Sequence, residues 1–215
     1  MHLIFFSHVT MSVTKLLGRI VVPDINSGDE KDLHDHTYGI TSDPLTQFAV
    51  VFSAMLHDAD HKGVPNTQLV NEGTEEARRY RDQSVAEQNS IDICWTLLMK
   101  DKFKGLRQAI YTTTDDLRRF RQLVVNTVLA TDIMDKSLKK LRNDRWDRAF
   151  SANSVEERTS LKDQTDRKAT IVIEHLIQAS DVAHTMQHWQ VYRKWNGKFA
   201  VTPICVALAL LGQLS

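Results

Sequence analysis

One apolar helix that ends in a charged cluster constrains this chain more than any other feature. The segment Phe48–Asn66 reads FAVVFSAMLHDADHKGVPN, and its first half has the apolar character of a buried helix. Its second half places four polar residues within five positions: His57, Asp58, Asp60 and His61. Charges at the end of a buried helix must be paired or bound to a metal ion. His and Asp suit a divalent ion, although a lone His-Asp pair is more often a helix cap or a surface ion pair.

A second apolar helix repeats this arrangement later in the chain. The segment Ile171–His184 reads IVIEHLIQASDVAH and carries Asp181 near its end. Two helices would therefore each bring a carboxylate to one end of a shared core. His175 lies within the apolar pattern and is predicted to be a core or edge histidine with its own hydrogen bond, not a ligand.

Four motifs, taken in order, give the chain a family resemblance. They are HDADHKGVPN at 57–66, SVAEQN at 84–89, Thr131-Asp132 and ASDVAH at 179–184. Together they resemble the catalytic domain of the 3',5'-cyclic nucleotide phosphodiesterases, an all-helical branch of the HD metal phosphohydrolases. The resemblance runs from Val9 to Trp195. It implies an all-α fold, a compact multi-helix bundle of the HD type.

The resemblance also implies a metal site with two divalent ions, zinc and magnesium (or manganese). Asp58 would bridge the two ions. His57, Asp58 and Asp181 match three of the four protein ligands that the family gives to zinc. The second ion would bind the bridging carboxylate and otherwise keep water, as hard ions prefer.

Further residues match those that the family uses to hold metal-bound water. By resemblance, His61, Glu87 and Thr131 would hold water bound to the second ion. Glu87 also lies three residues after Ser84, so the pair alone predicts a capping box at the start of a helix. His184 would face the phosphate or the nucleotide, or it would be a plain helix-terminal histidine.

These roles imply an enzyme of signal transduction that hydrolyses the cyclic phosphodiester of cAMP, cGMP or both to the 5'-nucleoside monophosphate. A hydroxide that bridges the two metals would be the nucleophile. Two alternatives stay open. The chain can be a catalytically impaired relative that serves as a scaffold, or an HD hydrolase that acts on another phosphate ester.

The chain departs from the family at its first motif, HNxxH, whose first His is the general acid and whose second His is a zinc ligand. Aligned through the Ser-His-Val that follows, the acid position is Met1 and the ligand position is Phe5. Neither side chain can perform these roles. His2 and His8 lie off the pattern, with His8 one helical turn from Phe5.

A second departure follows Asn196, where the resemblance stops. The family continues with helices that supply a purine-binding glutamine, whereas residues 197–215 form an apolar tail in which Val201–Ser215 has no charged residue. We therefore expect a partial catalytic domain over residues 1–196 and an unmatched tail over 197–215. The resemblance also implies a fragment of a longer protein, with fused sensor or cyclase domains as candidates for the remainder.

Composition narrows the partners and the compartment. The formal net charge is zero, so nothing indicates a nucleic-acid or membrane-surface partner, and the uncharged 15-residue segment Val201–Ser215 is too short to span a bilayer. Cys94 and Cys205 are the only cysteines. Without a disulfide framework we expect a reducing, cytoplasmic compartment.

Local signals also predict where some elements begin. Asp43-Pro44 is a strong helix start, with Asp as the N-cap and Pro at the first helical position. Residues 24–42 are polar and contain Gly, so they are predicted to form a loop. His34 and His36 would be incidental histidines of that loop.

Overall fold

The structure, a computed structural model, describes residues 2–22, 30–150, 161–186, 188–190 and 193. The helices in this part of the chain are α1 His2–Val21, α2 Glu30–His36, α3 Pro44–Leu56, α4 Asn66–Asn71, α5 Glu75–Arg79, α6 Val85–Leu98, α7 Lys104–Ile110, α8 Thr114–Leu129, α9 Lys136–Phe150 and α10 Leu161–Asp181. Short 3-10 turns cover Ile40–Ser42, Asp101–Phe103 and Val182–Met186. No strand occurs among the described residues, and the predicted all-α fold is confirmed.

Helix α3 lies at the centre because both of its sides are buried. One side contributes Val50 and Ala54 to an apolar cluster with α1 and α10, which we call the α1–α10 cluster. The other side contributes Ala49 and Leu56 to a cluster with α6 and α8, which we call the α8 cluster. A helix with apolar residues on two sides is expected when neighbours cover both of those sides.

The start of α3 is the one predicted from sequence. The Asp43 carboxylate accepts a hydrogen bond from the backbone N–H of Thr46 at 3.2 Å, and Pro44 occupies the first helical position. Arg119 on α8 donates to the same carboxylate, with Nη1 3.1 Å from Oδ1. A local cap therefore also ties α3 to α8.

The polar stretch before α3 is more regular than its sequence predicts. The loop predicted over residues 24–42 contains α2 and a 3-10 turn, so that prediction is wrong where the structure describes it. Ile40, 2% exposed, packs in the α1–α10 cluster, and His34 Nδ1 hydrogen-bonds the Ser42 hydroxyl. One buried apolar residue anchors the turn but produces no periodicity that a sequence pattern could reveal.

The carboxyl ends of α3, α8 and α10 meet at one end of the bundle. Gln178 on α10 donates from Nε2 to the carbonyl oxygen of Ala130, directly after α8, at 2.8 Å. His57 directly follows α3, and Asp181 is the last residue of α10. Packing thus brings together two segments that are far apart in sequence. In the described part of the chain, no helix combines the length and apolar character needed to cross a membrane.

Candidate active site

His57 is the buried centre of the site. It is 2% exposed, and its Nδ1 lies 3.0 Å from the carbonyl oxygen of Ala54, one turn earlier on α3. Because a carbonyl oxygen only accepts, Nδ1 carries a hydrogen, and Nε2 is the atom that gains or loses the second proton of the ring. This Nε2 is buried and makes no hydrogen bond, although it lies 3.4 Å from Asp58 Oδ2 and 3.4 Å from Asp181 Oδ1.

The two carboxylates favour a positive charge at His57. Burial lowers the pKa of the imidazole, but Asp181 and Asp58 outweigh burial and raise that pKa to about 10. In the absence of another cation, the imidazole is protonated on Nε2, and its positive charge balances the nearby carboxylates. Whatever cation binds here must displace this proton.

The spacing of the donor atoms fits a metal ion. With bonds of about 2.1 Å, two ligand atoms of a tetrahedral zinc site lie about 3.4 Å apart. Both spacings that join His57 Nε2 to the carboxylates have this value. Among the described residues, however, no group of three or more His, Cys, Asp or Glu side chains is arranged so that it could hold a metal ion. His57, Asp58 and Asp181 therefore form two pairs that share His57, each with the spacing of zinc ligands, and not a complete metal site.

The turn that follows His57 orients His61. Asp60 and Gly63 both have positive φ, 61° and 77°, so the chain turns sharply after α3. Within this turn the backbone N–H of Gly63 donates to His61 Nδ1 at 3.0 Å. A ring that accepts at Nδ1 carries its hydrogen on Nε2, so His61 presents an N–H donor at its outer end.

Glu87, in the first turn of α6, lies in a network of polar side chains. Its Oε2 accepts a hydrogen bond from Asn66 Nδ2 at 2.8 Å. Burial raises the pKa of the Glu87 carboxyl; the Asn66 hydrogen bond opposes that shift, the Asp132 charge adds to it, and His61 opposes it. These influences place His61 and Asp132 close enough to act on Glu87.

Asp132 is the buried hub of the same network. It accepts hydrogen bonds from Ser84 Oγ at 2.8 Å and from the backbone N–H of Asp135 at 3.1 Å. Asn66 Nδ2 lies 3.3 Å from its Oδ2. The neighbouring Thr131 donates its hydroxyl to the Val128 carbonyl at 2.7 Å, which leaves the oxygen lone pairs of that hydroxyl as acceptors.

Comparison with known proteins identifies the family. A family model described as 3'5'-cyclic nucleotide phosphodiesterase matches residues 13–200, which is most of the chain. The chain belongs to the 3',5'-cyclic nucleotide phosphodiesterase family. Its expected membership is thereby confirmed, and the all-helical fold agrees with it.

Individual phosphodiesterases are similar over the same region. The dual specificity calcium/calmodulin-dependent 3',5'-cyclic nucleotide phosphodiesterase 1C of Homo sapiens is 26% identical over 154 residues, which is 71% of this chain and 19% of the relative. The dual specificity calcium/calmodulin-dependent phosphodiesterase 1 of Drosophila melanogaster is 27% identical over 154 residues, 71% of this chain and 16% of the relative. The chain thus spans about a fifth or less of the length of these phosphodiesterases.

Within this phosphodiesterase chain, the predicted capping box at α6 is wrong. Ser84 has a positive φ of 38° and its side chain makes no capping hydrogen bond. Its hydroxyl points to Asp132 instead, and the N–H of Ala86 is accepted by Asn66 Oδ1 at 2.9 Å. The Ser84 hydroxyl therefore bonds the buried Asp132 carboxylate, which is distant in sequence, and not the backbone at the start of α6.

Sequence reasoning gave no role to two residues that the structure places at the centre of the network. Asn66 is the last residue of the HDADHKGVPN motif and Asp132 belongs to the Thr131-Asp132 motif, so their positions in these motifs were the available sequence signal. His175 has the hydrogen bond predicted for it, to the Ile171 carbonyl at 2.8 Å, and packs on Trp146; the residue is exposed at the edge of the bundle and does not lie in the core. Met1 lies outside the described residues, as do the side chains of Phe5 and His184.

Proposed function

We propose that this chain is the metal-binding part of a phosphodiesterase that hydrolyses the 3',5'-cyclic phosphodiester bond of cAMP, cGMP or both to the 5'-monophosphate. One observation supports this proposal above the others. The Nε2 atom of the buried His57 imidazole lies 3.4 Å from a carboxylate oxygen of Asp58 and from one of Asp181, where the ends of α3 and α10 meet. The family to which the chain belongs supplies the reaction class.

The proposal assigns each ligand a place. His57, Asp58 and Asp181 would hold zinc, and Asp58 would share its carboxylate with magnesium or manganese. When bound, such a pair of ions neutralises phosphate charge and acidifies water. The side chains of Asp58 and Asp181 are 32% and 26% exposed, against 1% for His57. The imidazole would therefore anchor the site from the interior while the carboxylates meet the substrate side.

The surrounding residues would orient water and phosphate. Asn66 occupies Oε2 of Glu87, so Oε1 is the oxygen that would accept a hydrogen bond from water. His61 would donate from Nε2, since its Nδ1 accepts the Gly63 N–H. Thr131 would accept with its hydroxyl oxygen, and His184 would contact the phosphate or the nucleotide.

Turnover should be low because the leaving alkoxide needs a proton. The pattern position of the general acid is Met1 and that of the fourth zinc ligand is Phe5. General acid catalysis contributes roughly 10²–10⁴-fold to a rate, and methionine has no proton to give. These two residues favour a second candidate function: a catalytically impaired relative that keeps the scaffold and binds metal weakly.

The decisive experiment measures metal content and hydrolysis of both cyclic nucleotides, with Asp58→Asn as the test variant. Asp60→Asn is the matched control, because Asp60 is two residues away, half exposed and paired with Lys62 at 2.8 Å. We expect Asp58→Asn to lose bound zinc and any hydrolysis, and Asp60→Asn to keep both. Equal metal content in the two variants contradicts the proposed site. Hydrolysis of 5'-monophosphates without hydrolysis of cyclic nucleotides would favour a different phosphate ester as substrate.

The proposal also covers the choice of substrate, the cellular compartment and the further domains of the full-length protein. The similar proteins of Homo sapiens and Drosophila melanogaster are named as dual specificity enzymes, so cAMP and cGMP both belong in the assay. We propose a role in cytoplasmic signal transduction, with further domains such as a sensor in the full-length protein and no nucleic-acid partner.

A further inference from the structure

The amino end of α6 is capped by a residue from another element. The first N–H groups of a helix have no partner within the helix and need an acceptor. Ser84 does not provide one: its side chain makes no capping hydrogen bond, and its hydroxyl lies towards Asp132, to whose Oδ2 it donates at 2.8 Å. Asn66, which lies 20 positions before Ala86, accepts the Ala86 N–H with Oδ1 at 2.9 Å.

This cap determines which way the Asn66 amide points. Because Oδ1 accepts from a backbone N–H, the other end of the amide must be the NH₂ group. Nδ2 then directs one hydrogen to Glu87 Oε2 at 2.8 Å and the other to Asp132 Oδ2 at 3.3 Å. The single side chain of Asn66 thus uses its oxygen and both hydrogens on three different partners.

The two carboxylates that share this NH₂ group would otherwise repel each other. Glu87 and Asp132 come from α6 and from the segment after α8, and Asp132 is only 7% exposed. The ionisable groups that act on Glu87 are Asp132, which disfavours its charge, and His61, which favours it. Asn66 is the neutral donor that lies between the two carboxylates, and its hydrogen bond favours the ionised form of Glu87.

We propose that Asn66 is a positioning residue for the reaction: it holds Glu87 by Oε2, beside Asp132, so that Oε1 is left to orient water. This inference rests on the proposed function in one step, the action of Glu87 on water at the cation site. The hydrogen-bonded arrangement itself is independent of that step.

Asn66→Asp is the sharpest test because it changes one group and keeps the shape. The new side chain still accepts the Ala86 N–H, but it loses both donated hydrogen bonds and adds a negative charge. We expect the ¹³C-NMR titration midpoint of the Glu87 carboxyl to move to higher pH. We also expect Mn²⁺ affinity to fall by up to about tenfold, the lower end of the cost of losing a direct partner of a metal ligand, because Asn66 acts on the ion only through Glu87 and water.

Gln68→Ala is the matched control. Gln68 lies on the same short helix α4 and also donates to a carboxylate, Glu72 Oε1, at 2.8 Å, but this pair is exposed. We expect this variant to leave the Glu87 midpoint and the Mn²⁺ affinity unchanged. If Asn66→Asp is folded and also leaves the midpoint unchanged, the inference is overturned.

A double variant reverses the hydrogen bond. In Asn66→Asp/Glu87→Gln the amide and the carboxylate exchange places, so the bond can form again with donor and acceptor swapped. We expect the double variant to regain part of the Tm lost in Asn66→Asp without regaining Mn²⁺ affinity. If Asn66→Asp does not fold, the double variant decides. Unfolding at a temperature where Glu87→Gln alone is folded would refute the pairing.

Separate experiments test the proposed metal site and the positioning role of Asn66, so either one can be refuted without the other. If Asp58→Asn leaves Mn²⁺ binding unchanged, the proposed metal site is wrong, whatever happens at Asn66. The change in the Glu87 titration of metal-free Asn66→Asp protein reports the Asn66 hydrogen bond and needs no metal site, so an unchanged midpoint there overturns this inference even when Asp58 proves to bind the metal.

Discussion

At the scale of single residues, the site is governed by which cation sits beside the His57 imidazole. The ring is buried against two carboxylates, so its Nε2 holds a proton when no metal is bound. A metal ion and a proton compete for the same lone pair, and binding of one releases the other. A change of pH should therefore change both the protonation of His57 and the affinity of this site for metal.

In metal-free protein, stability should fall as the solution becomes alkaline. The pKa of His57 rises from 6.5 to about 10 on folding, so its contribution is fully present below pH 6.5 and is lost as the pH approaches 10. Urea denaturation in a chelator, from pH 6 to pH 10, measures this. His57→Gln should remove most of the decline, whereas His175→Gln, an exposed control, should keep it. Equal slopes in all three proteins would contradict the assignment.

Zinc affinity should change with pH in the opposite direction. Since zinc must displace one proton from His57 Nε2, we expect the apparent affinity to rise by about tenfold per pH unit between pH 6 and 8. Competition with a zinc-sensitive dye at several pH values gives this slope. A pH-independent affinity would mean that zinc binds without His57.

At the scale of elements, helix ends determine how the bundle is joined. Asp43 caps α3 and binds Arg119 of α8, while Asn66 caps α6 from outside it. Both caps use a side chain that also contacts a second element. Loss of such a residue affects a helix and its docking together.

Asp43→Ala should destabilise the protein by about 0.5–2 kcal/mol, the usual cost of an N-cap. Burial raises the pKa of Asp43, but Arg119 and Thr46 outweigh burial and lower it below 3.8. Its contribution is therefore present above pH 3.8 and is lost as the pH falls through the lowered value. Urea denaturation at pH 7 and pH 3 checks both statements.

Arg119→Ala should destabilise more than Arg118→Ala. Arg118 lies on the same helix and pairs with Asp115 at 3.0 Å, but both side chains are exposed, so this pair is worth about 0–1 kcal/mol. Arg119 instead binds a half-buried helix cap that belongs to another helix. Equal free energies of unfolding for the two variants would show that the tie to α3 adds nothing.

At the scale of the whole molecule, α3 makes one cooperative unit of two apolar clusters. The α1–α10 cluster contains Ile177 and the α8 cluster contains Phe120, and both side chains are completely buried. Four aromatic rings surround Phe120 at centroid distances of 5.5–6.2 Å. Because α3 packs in both clusters, loss of packing in either cluster should destabilise the whole bundle.

Truncation in either cluster should lower the stability of the whole chain. Phe120→Ala should cost about 3–5 kcal/mol and Ile177→Ala about 2–5 kcal/mol. Met134→Ala, at a residue 82% exposed, is the control and should stay within about 0.5 kcal/mol. Circular dichroism and tryptophan fluorescence should give one shared transition for each variant. Separate transitions would mean that the clusters unfold independently.

Sequence predicts an element well where its signals are local. The start of α3 follows from Asp43, Pro44 and an apolar run, all within one stretch. Helix α2 was missed because burial of a single residue, Ile40, orders its surroundings. The beginning of α10 at Leu161 was missed because its first turns are polar and their pattern is weak.

The candidate site likewise has features that local sequence signals predict and features that depend on long-range packing. From sequence alone come the residue types and their positions at helix ends: His57 and Asp58 after α3, Asp181 at the end of α10, and Glu87 at the start of α6. Tertiary structure alone decides that His57 Nε2 is buried 3.4 Å from two carboxylates, and that Asn66 rather than Ser84 caps α6. The physical reason is that a periodic pattern records which face a helix buries. The partner of a polar group depends on which distant donor or acceptor packing brings within hydrogen-bonding distance.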